Sequence, residues 1–562
     1  MEILDLNNLS VEHTKRLNEI AIEQRDAYVK FIDSVNIHNK FAWWITKTST
    51  RNSMYVYTCL YKIQFILEVI EKENYITKII VDDKNIQIIT KRYIKKYNKE
   101  IKVYSKSKRQ KGWLWNSCIY IYLWCLRLAE FIQIKKLLSQ PTLESDVPIC
   151  IIDTFVLHTC FTENGYMDRY FNNLLPNAEI RFNLYFSSIL VNNCNLPFSS
   201  FLKKLKAEKE YPFLVKEQFL KFKDYLSMLI WPILCLPLVL KKYYFNGLDI
   251  SMLMRSDISS GIMYQNSIDG LIAYHFIKRL KSKKVNVNKF ILWYEGQPSS
   301  IGFTLGVRKW YHEKSILGYI GLPILENDLG YYPSTLQYIK QKVPDIFGVI
   351  GNAYIDIIKI YCNDLKVIVC PALRYNNCCN KQYKQKYNSG KTRILIVLSY
   401  YKEVSYQMLR NTFLAIEKSG KENFEVWIKN HPVNQNKVLS DYNVVTGLSY
   451  KFVNGNLTDR SLDSDITIIS TTTSGMELII QGINLLIYIP KGDLINHAIP
   501  NSVPKDFYKI VYSQEDIAIE LQKKISQFQV SRDKKWIQNY FEPINPDSIS
   551  RMLNFNNKVE FK

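Results

Sequence analysis

The sequence has little of what marks several large classes of protein. Its 562 residues include only 20 Gly and 18 Pro, which excludes collagen-like and low-complexity chains. No CxxC pair occurs among the 11 Cys, and neither they nor the seven His show metal-ligand spacing. No GxGxxG motif follows a predicted strand, and the phosphate-binding motif GxxxxGK[ST] is missing. We therefore expect no bound metal and no dinucleotide cofactor.

The N-terminus lacks an export signal. Residues 1–20 contain no basic segment followed by an apolar one, so no signal peptide is predicted. The cysteines are odd in number and scattered, and several lie in apolar runs, where cysteine usually behaves as a small core residue. These features favour reduced thiols in a cytoplasmic protein.

No apolar run clearly predicts a transmembrane helix, but two come close. Residues 113–134 carry three Trp and follow a basic run at 106–111, which is typical of a membrane interface. Residues 228–240 are too short to span a bilayer, and Pro232 and Pro237 interrupt them. Both segments are interpreted either as core helices or as peripheral contacts with an anionic membrane, which would be the cytoplasmic face of the inner membrane.

What is present is an excess of positive charge. Lys and Arg outnumber Asp and Glu by 74 to 52, a formal net charge of +22, which favours anionic partners such as nucleic acid, acidic lipid or phosphorylated sugars. The basic residues are spread along the chain, with no zinc-finger, RNA-recognition or helix-turn-helix signature. A nucleic-acid partner is therefore not expected. A basic protein that binds nucleic acid or a membrane surface stays as the alternative from a different class.

Predicted strands alternate with predicted helices in two series. Such alternation predicts parallel sheets covered on both faces, so we expect an α/β fold with two Rossmann-like domains facing a cleft and a helical insert near 105–140. The predicted units are an N-terminal domain at 1–375, a linker at 376–391, a C-terminal domain at 392–525 and a helical tail at 526–562. The predicted strands lie at 78–81, 101–105, 148–155, 289–296, 315–321, 345–351, 365–372, 393–399, 424–429, 465–469 and 484–490.

Three predicted strands end on side chains suited to chemistry, and ligands of such sheets bind at these ends. Glu295 precedes Gly296 and is either a general base for a hydroxyl or a surface acid. His431 follows the strand at 424–429 and either contacts a phosphate or is structural. Five hydroxyl residues follow the strand at 465–469, where they form either an anion site or a helix cap. These five are Ser470, Thr471, Thr472, Thr473 and Ser474.

Four further residues are weaker candidates. Glu477 lies in the first turns of the helix after the hydroxyl residues, where it either reaches a ribose hydroxyl or only complements the helix dipole. Asp168, Arg169 and Arg374 are candidate contacts of the acceptor or donor, because an arginine can pair with a carboxylate or phosphate. Structural ion pairs remain an equal alternative for these three.

An acidic residue before Gly, then the HP dipeptide, then a Ser/Thr-rich stretch resembles the GT-B-fold bacterial sialyltransferases and polysialyltransferases. The capsular Kdo transferases share the HP and Ser/Thr features, and the segments WYEGQPSS and VCPALRY look like a wider group of surface-carbohydrate biosynthesis proteins. The resemblance covers residues 290–500. It implies the GT-B fold and a CMP-activated ulosonic acid as donor.

The resemblance also implies roles for the strand-end residues. It makes Glu295 the catalytic base, His431 a contact or proton donor of the CMP phosphate, and the hydroxyl stretch the phosphate ligand. One position departs from the family: Tyr294 precedes Glu295 where a second acid is common. The base assignment therefore rests on Glu295 alone.

The activity implied is that of an inverting, metal-independent glycosyltransferase. It transfers a nonulosonic acid or Kdo from its CMP donor to a surface glycan such as lipopolysaccharide or capsule. The expected partners are thus a nucleotide sugar and a glycan or lipid-linked glycan acceptor. An alternative with the same fold uses a UDP- or GDP-sugar, or a CDP-polyol, as donor.

Overall fold

A computed structural model of the protein describes residues 2–36, 40–107, 112–143, 147–163, 165–179, 183–192, 196–263, 265–376, 390–431, 448–455, 457, 464–523 and 534–555. The strands among these residues are β1 (Glu2–Asp5), β2 (Ile76–Val81), β3 (Lys102–Ser105), β4 (Ile149–Leu157), β5 (Phe161–Thr162), β6 (Gly165–Tyr166), β7 (Leu184–Val191), β8 (Phe213–Val215), β9 (Tyr244–Phe245), β10 (Leu248–Asp249), β11 (Val287–Trp293), β12 (Ile316–Ile320), β13 (Ile346–Val349), β14 (Lys366–Val369), β15 (Thr392–Val397), β16 (Phe424–Lys429), β17 (Tyr450–Val453), β18 (Ile466–Ile469), β19 (Asn484–Tyr488) and β20 (Tyr508–Val511).

Helices alternate with these strands. Within the described residues, the α-helices of five or more residues are Val11–Asn36, Tyr55–Lys72, Lys84–Lys96, Trp113–Leu137, Phe198–Ala207, Phe222–Leu229, Trp231–Leu240, Ser251–Met263, Gln265–Ser282, Pro298–Trp310, Thr335–Ile339, Lys402–Lys418, Gly475–Ile480, Gln514–Gln522, Lys534–Tyr540 and Pro546–Leu553. The predicted helical insert is the helix Trp113–Leu137, which connects β3 to β4.

Two large parallel sheets carry the fold. The first has the strand order β14-β13-β12-β11-β4-β7-β8 and the second has the order β17-β16-β15-β18-β19-β20. Every neighbouring pair in both sheets is parallel. The central strands β4 and β15 are built from almost continuously buried residues, as strands covered on both faces must be. The predicted α/β, GT-B-like architecture of two Rossmann-like domains is confirmed.

Both sheets follow the Rossmann strand order. If the strands of each sheet are counted along the chain, the second sheet reads 3-2-1-4-5-6, and the first has the same order with a seventh strand at its edge. The order reverses between β4 and β11 in the first sheet and between β15 and β18 in the second. Ligands of such sheets bind beyond the carboxyl ends of the strands at this switch point.

A third, smaller parallel sheet precedes the two large ones. It has the order β1-β2-β3, and the prediction of a strand, helix and strand over residues 75–105 is confirmed by β2, the helix Lys84–Lys96 and β3. Asp83 caps that helix by accepting hydrogen bonds from the backbone N–H groups of Asn85 and Ile86.

A segment near each end of the chain forms hydrogen bonds with the opposite domain. In the first helix, Val11–Asn36, the side-chain oxygen of Asn18 accepts a hydrogen bond of 2.5 Å from the N–H of Ile495, in the C-terminal domain. At the other end, the N–H of Glu542 donates to the carbonyl oxygen of Ile350 over 2.7 Å, in the N-terminal domain. The helices of the predicted tail therefore lie against the first domain. Of the predicted linker, residues 377–389 lie outside the described residues.

Two helices are long and apolar enough to cross a membrane by length and composition alone. They cover Trp113–Leu137 and Phe222–Leu240, the second being bent at Ile230. Each has one face packed on the protein. In the most apolar 18-residue stretch, 28% of the first helix and 44% of the second are buried. The segments noted in the sequence as core or membrane-contacting are thus half-embedded helices with an outer face that the described chain leaves open.

Candidate active site

A cavity of about 260 Å³ opens beyond the carboxyl end of β4, at the switch point of the first sheet. Its lining residues are Thr159, Cys160, Thr162, Met167, Asp168, Arg169, Asn172 and Arg374. The three residues proposed from sequence as acceptor or donor contacts therefore share one cavity. Among the described residues, neither Arg169 nor Arg374 forms an ion pair at contact distance.

Asp168 orders the loop that forms one wall of this cavity. It is 1% exposed, and one carboxylate oxygen accepts hydrogen bonds from the N–H groups of Tyr170 (2.6 Å) and Phe171 (2.8 Å). Burial raises the pKa of Asp168, against the opposing effect of these N–H donors. The turn presses Tyr170 and Phe171 against Trp293, with ring centroids 4.7 and 6.0 Å away. Asp168 thereby positions the residues beside the strand end of β11.

Glu295 lies two residues beyond β11, at that strand end. Its Oε1 accepts a hydrogen bond from Trp293 Nε1 (2.7 Å), and its Oε2 accepts one from Gln297 Nε2 (2.6 Å). The carboxylate is therefore oriented by two neutral donors, one on each oxygen, and is only partly buried. A carboxylate held in this way retains lone pairs that can accept a proton from a bound hydroxyl.

The backbone around Glu295 explains the residues on either side of it. Gly296 has a φ of +64°, and a Cβ at this position would lie 2.0 Å from the carbonyl oxygen of Gly330. Tyr294, which stands where the resembled family often has a second acid, is 2% exposed and packs edge-on against Phe347 at 5.0 Å. A carboxylate at position 294 would face the core, so the strand end presents a single acid at this edge.

Replacing Gly296 by Ala should destabilise the protein by more than about 2 kcal/mol, because the positive φ and the close Gly330 carbonyl both oppose a Cβ. Urea unfolding monitored by circular dichroism measures this. Gly247→Ala is the matched control: its φ is +76°, but no atom lies within 4 Å of the added Cβ. We expect the control to cost about 1 kcal/mol. Equal losses for the two variants would contradict the role given to the close approach.

A second carboxyl group near Glu295 was missed by sequence reasoning. Asp328 follows β12, and burial together with the charge of Glu295 raises its pKa to about 7. A buried carboxyl with a raised pKa close to a second carboxylate is a common arrangement in sites of acid–base chemistry. Asp328 lies in a loop of mixed composition with no strand-end motif, so the sequence carried no local signal for it.

The second domain contributes His431, which lies two residues beyond the end of β16. Its ring lies edge-on to Tyr400, with centroids 5.6 Å apart. Burial lowers the pKa of His431, and the positive charge of Arg169 lowers it further. Arg169 belongs to the first domain, so this electrostatic effect acts between the two domains. The following Pro432 lies outside the described residues.

The hydroxyl stretch follows β18, at the switch point of the second sheet. Ser470 is 2% exposed, and within the described residues its Oγ has no hydrogen-bond partner. The four residues from Thr471 to Ser474 are partly buried, and Thr472 Oγ1 accepts a hydrogen bond of 3.2 Å from the N–H of Ser474. The helix predicted to follow begins at Gly475, as expected, and ends at Ile480.

Arg374 electrostatically connects the two halves of the site. Burial alone lowers the pKa of this guanidinium, but the opposing effects of Tyr375, Glu477, Tyr170 and Glu295 raise it overall. Glu477 belongs to the second domain and Glu295 to the first. Burial raises the pKa of Glu477 to about 7, and Arg374 opposes that rise. The partly buried Arg374 thus interacts electrostatically with carboxylates of both domains.

Comparisons with known proteins give structural neighbours only, since no family model and no curated protein matches the chain. The UDP-GlcNAc 2-epimerase of Methanocaldococcus jannaschii, in complex with UDP-GlcNAc and UDP, is 14% identical with a TM-score of 0.39, over 72% of this chain and 98% of that chain. The α,α-trehalose 6-phosphate synthase of Burkholderia multivorans is 9% identical with a TM-score of 0.36, over 72% and 93%. MurG of Acinetobacter baumannii is 10% identical with a TM-score of 0.34, over 72% and 98%. The ligands named for these proteins are theirs, and the chemistry of this chain is inferred from its own cleft.

Proposed function

We propose that this protein is an inverting glycosyltransferase that transfers a nonulosonic acid or Kdo from a CMP-activated donor to a surface glycan such as lipopolysaccharide or capsule. One observation carries the proposal: Arg169 and Arg374 line one cavity, and their charges act on His431 and on Glu295 and Glu477, although these residues come from two domains. A carboxylate base, a histidine and two arginines that form no ion pair within the described residues suit transfer from an anionic donor.

The charge of the donor matches this set of groups. A CMP-ulosonate carries a carboxylate on the reacting carbon and one phosphate on the adjacent oxygen. A carboxylate and a phosphate are the groups that arginine binds best, because its planar fork donates two parallel hydrogen bonds. Arg169 and Arg374 therefore suit this donor, whose sugar carries a carboxylate, better than they suit a donor with a neutral hexose. We place the donor carboxylate and phosphate between these arginines and His431.

The reaction follows from this placement. Glu295 takes the proton of an acceptor hydroxyl, whose oxygen attacks the anomeric carbon while the bond from that carbon to the phosphate oxygen breaks. The departing CMP gains the bond's electron pair, and His431, Arg169 and the hydroxyls of the stretch from Ser470 to Ser474 stabilise its charge. Attack opposite the leaving group inverts the configuration. The single phosphate of CMP leaves no diphosphate for a divalent metal to bridge.

A thermal-shift panel of CMP, CDP, UMP, UDP and GDP, each with and without EDTA, tests the donor. We expect CMP to raise the unfolding temperature selectively and independently of EDTA, because binding to the native state alone stabilises it. His431→Ala should abolish the shift. His312→Ala is the control, since the His312 side chain is 80% exposed and belongs to the first domain.

Two other outcomes would change the proposal. Selective stabilisation by a diphosphate nucleotide would indicate a UDP- or GDP-sugar or CDP-polyol donor in the same cleft. No response to any nucleotide would contradict the transferase proposal and favour a basic binding protein. The proposed setting is the cytoplasm, where nucleotide-activated sugars are made and a lipid-linked glycan acceptor is accessible from the membrane surface.

A further inference from the structure

The helices Trp113–Leu137 and Phe222–Leu240 pack side by side on the first domain. Trp124 Nε1 donates to the carbonyl oxygen of Tyr225 over 2.9 Å, and Tyr120 Oη donates to that of Met228 over 2.8 Å. Phe131 stacks at a tilt on Tyr225, with ring centroids 4.5 Å apart. The two helices therefore form one unit, and we call their outward side chains the apolar face.

The apolar face exposes large hydrophobic side chains to solvent. Leu114 is 74% exposed, Tyr122 62%, Ile233 65% and Leu240 63%. Single exposed hydrophobic residues are ordinary on a protein surface, but a continuous face of them on two packed helices marks an interaction site. No described segment of this chain covers it.

Both helices are anchored to the protein through their inner sides, so they do not span a bilayer. Arg127 is 6% exposed and pairs with Glu130 at 2.7 Å and with Asp269 in a neighbouring helix. Extracting the first helix into lipid would leave Asp269 buried without its partner, which is costly. Pro237 lies within the second helix and further opposes an independent span.

The charge around the apolar face favours an anionic partner. Lys221 and Lys223 flank the start of the second helix, Lys241 and Lys242 follow its end, and all four are exposed. A second copy of the chain on the same face would bring like charges together, whereas anionic lipid headgroups would neutralise them. Exposed Trp115 on the first helix, at 51% exposure, suits the boundary between headgroups and acyl chains.

We propose that the apolar face is a monotopic docking surface for an anionic lipid bilayer, in which both helices lie in the plane of the interface. The surface is connected to the candidate site. Ile134 and Leu138, at the end of the first helix, belong to the same hydrophobic cluster as Val156 of β4 and Tyr166 of the cavity loop. Docking therefore brings the cavity wall close to the membrane, where a lipid-linked acceptor resides.

Co-sedimentation of the full chain with vesicles tests the proposal. We expect binding to vesicles of phosphatidylcholine with phosphatidylglycerol, weaker binding to phosphatidylcholine alone, and release by salt. The pair Ile233→Ser and Leu240→Ser should lower the partition coefficient by about tenfold or more. Ile519→Ser, at 55% exposure in the C-terminal domain, is the matched control and should leave it unchanged.

Two further measurements test the contribution of the lysine charges to lipid binding and the depth of Trp115 in the bilayer. Lys241→Gln with Lys242→Gln should lower binding to anionic vesicles by about tenfold, and Lys418→Gln with Lys421→Gln, also exposed, should not. Brominated acyl chains should quench the fluorescence of the bound protein less in Trp115→Phe than in the wild type. Trp310→Phe is the control for that comparison.

Three results would overturn the proposal. The first is no sedimentation with either vesicle. The second is sedimentation to which the four substitutions at Ile233, Leu240, Lys241 and Lys242 make no difference, because contact would then lie elsewhere. The third is concentration-dependent dimerisation without lipid that Ile233→Ser with Leu240→Ser abolishes, since the face would then bind a second copy. The test is independent of donor identity, so the transferase proposal and the docking proposal can fail separately.

Discussion

Replacing Glu295 with Gln should lower kcat about 1,000-fold and leave CMP binding intact. The amide cannot take a proton from the acceptor hydroxyl, and general-base catalysis typically contributes factors of this order. The amide keeps one oxygen as an acceptor but turns its N–H₂ group towards the other of the two wild-type donors, Trp293 Nε1 and Gln297 Nε2. Initial-rate kinetics with a CMP-ulosonate and a glycan acceptor, together with the CMP thermal shift, measure the two effects separately.

Asp328→Asn is the comparison that makes this prediction sharp. Asp328 lies within electrostatic range of Glu295, and its pKa of about 7 would also suit a base. Glu295 lies two residues beyond β11 at the switch point and its carboxylate is oriented by two donors, whereas Asp328 is a loop residue eight positions beyond β12. We therefore expect a loss of about tenfold or less, through the altered field at Glu295. A larger loss for Asp328→Asn than for Glu295→Gln would transfer the role of base to Asp328.

Much of the fold could be predicted from sequence because buried parallel strands are continuous apolar runs. The runs at β4, β11, β15, β18 and β19 were all predicted as strands and are strands. The strands β7 and β17 were not predicted. β7 carries the buried Ser187, which donates to Asp153 over 2.5 Å, and Asp153 is itself paired with buried Lys216. This polar network is satisfied only in the folded protein, and a sequence pattern does not show it.

The edge strand β17 was missed for a different reason. It has four residues, three of them exposed, and it pairs with β16 on one side only. Its backbone hydrogen bonds, more than its side chains, make it a strand. Lys429 of β16 donates a hydrogen bond to the carbonyl oxygen of Gly455, beyond this edge strand.

The candidate site, too, was predictable from sequence only where local patterns determine the structure. Glu295, His431 and the hydroxyl stretch were found because strand ends are readable in a sequence, and ligands gather there. The proximity of Arg169 to His431, and of Arg374 to Glu477, depends on how two domains meet. Residues 169 and 431 are far apart along the chain, and no local pattern encodes their distance. The structure therefore shows what the sequence could not, namely which of the separate candidate residues lie near one another.

Arg374→Met should raise the KM for the donor about 100-fold. The guanidinium interacts electrostatically with Glu295 and Glu477 but forms no ion pair among the described residues, so its charge is available to an anionic ligand. Losing one member of a desolvated charge interaction typically costs a factor of this size or more. Arg374→Lys keeps the charge but loses the planar fork, and we expect it to recover only part of the affinity. Arg308→Met is the control, because Arg308 pairs with Asp345 at 2.9 Å on the first domain, outside the cavity lining.

The same substitution should change how stability depends on pH, through Glu477. The pKa of Glu477 is about 7 in the folded protein, where burial raises it and Arg374 opposes the rise, against 4.5 when unfolded. A raised carboxyl pKa means that protonation favours the folded state, so this contribution to stability is complete below pH 4.5 and lost as pH rises through about 7. Glu477→Gln should therefore differ little in Tm from the wild type at pH 4.5 and exceed it at pH 8. In the Arg374→Met background the pKa of Glu477 in the folded protein rises further, so the gain from Glu477→Gln should begin at the same pH, keep growing to a higher pH and end larger. If the Tm difference between Glu477→Gln and its parent follows the same pH profile with Arg374 as with Met at that position, Arg374 and Glu477 are not electrostatically coupled.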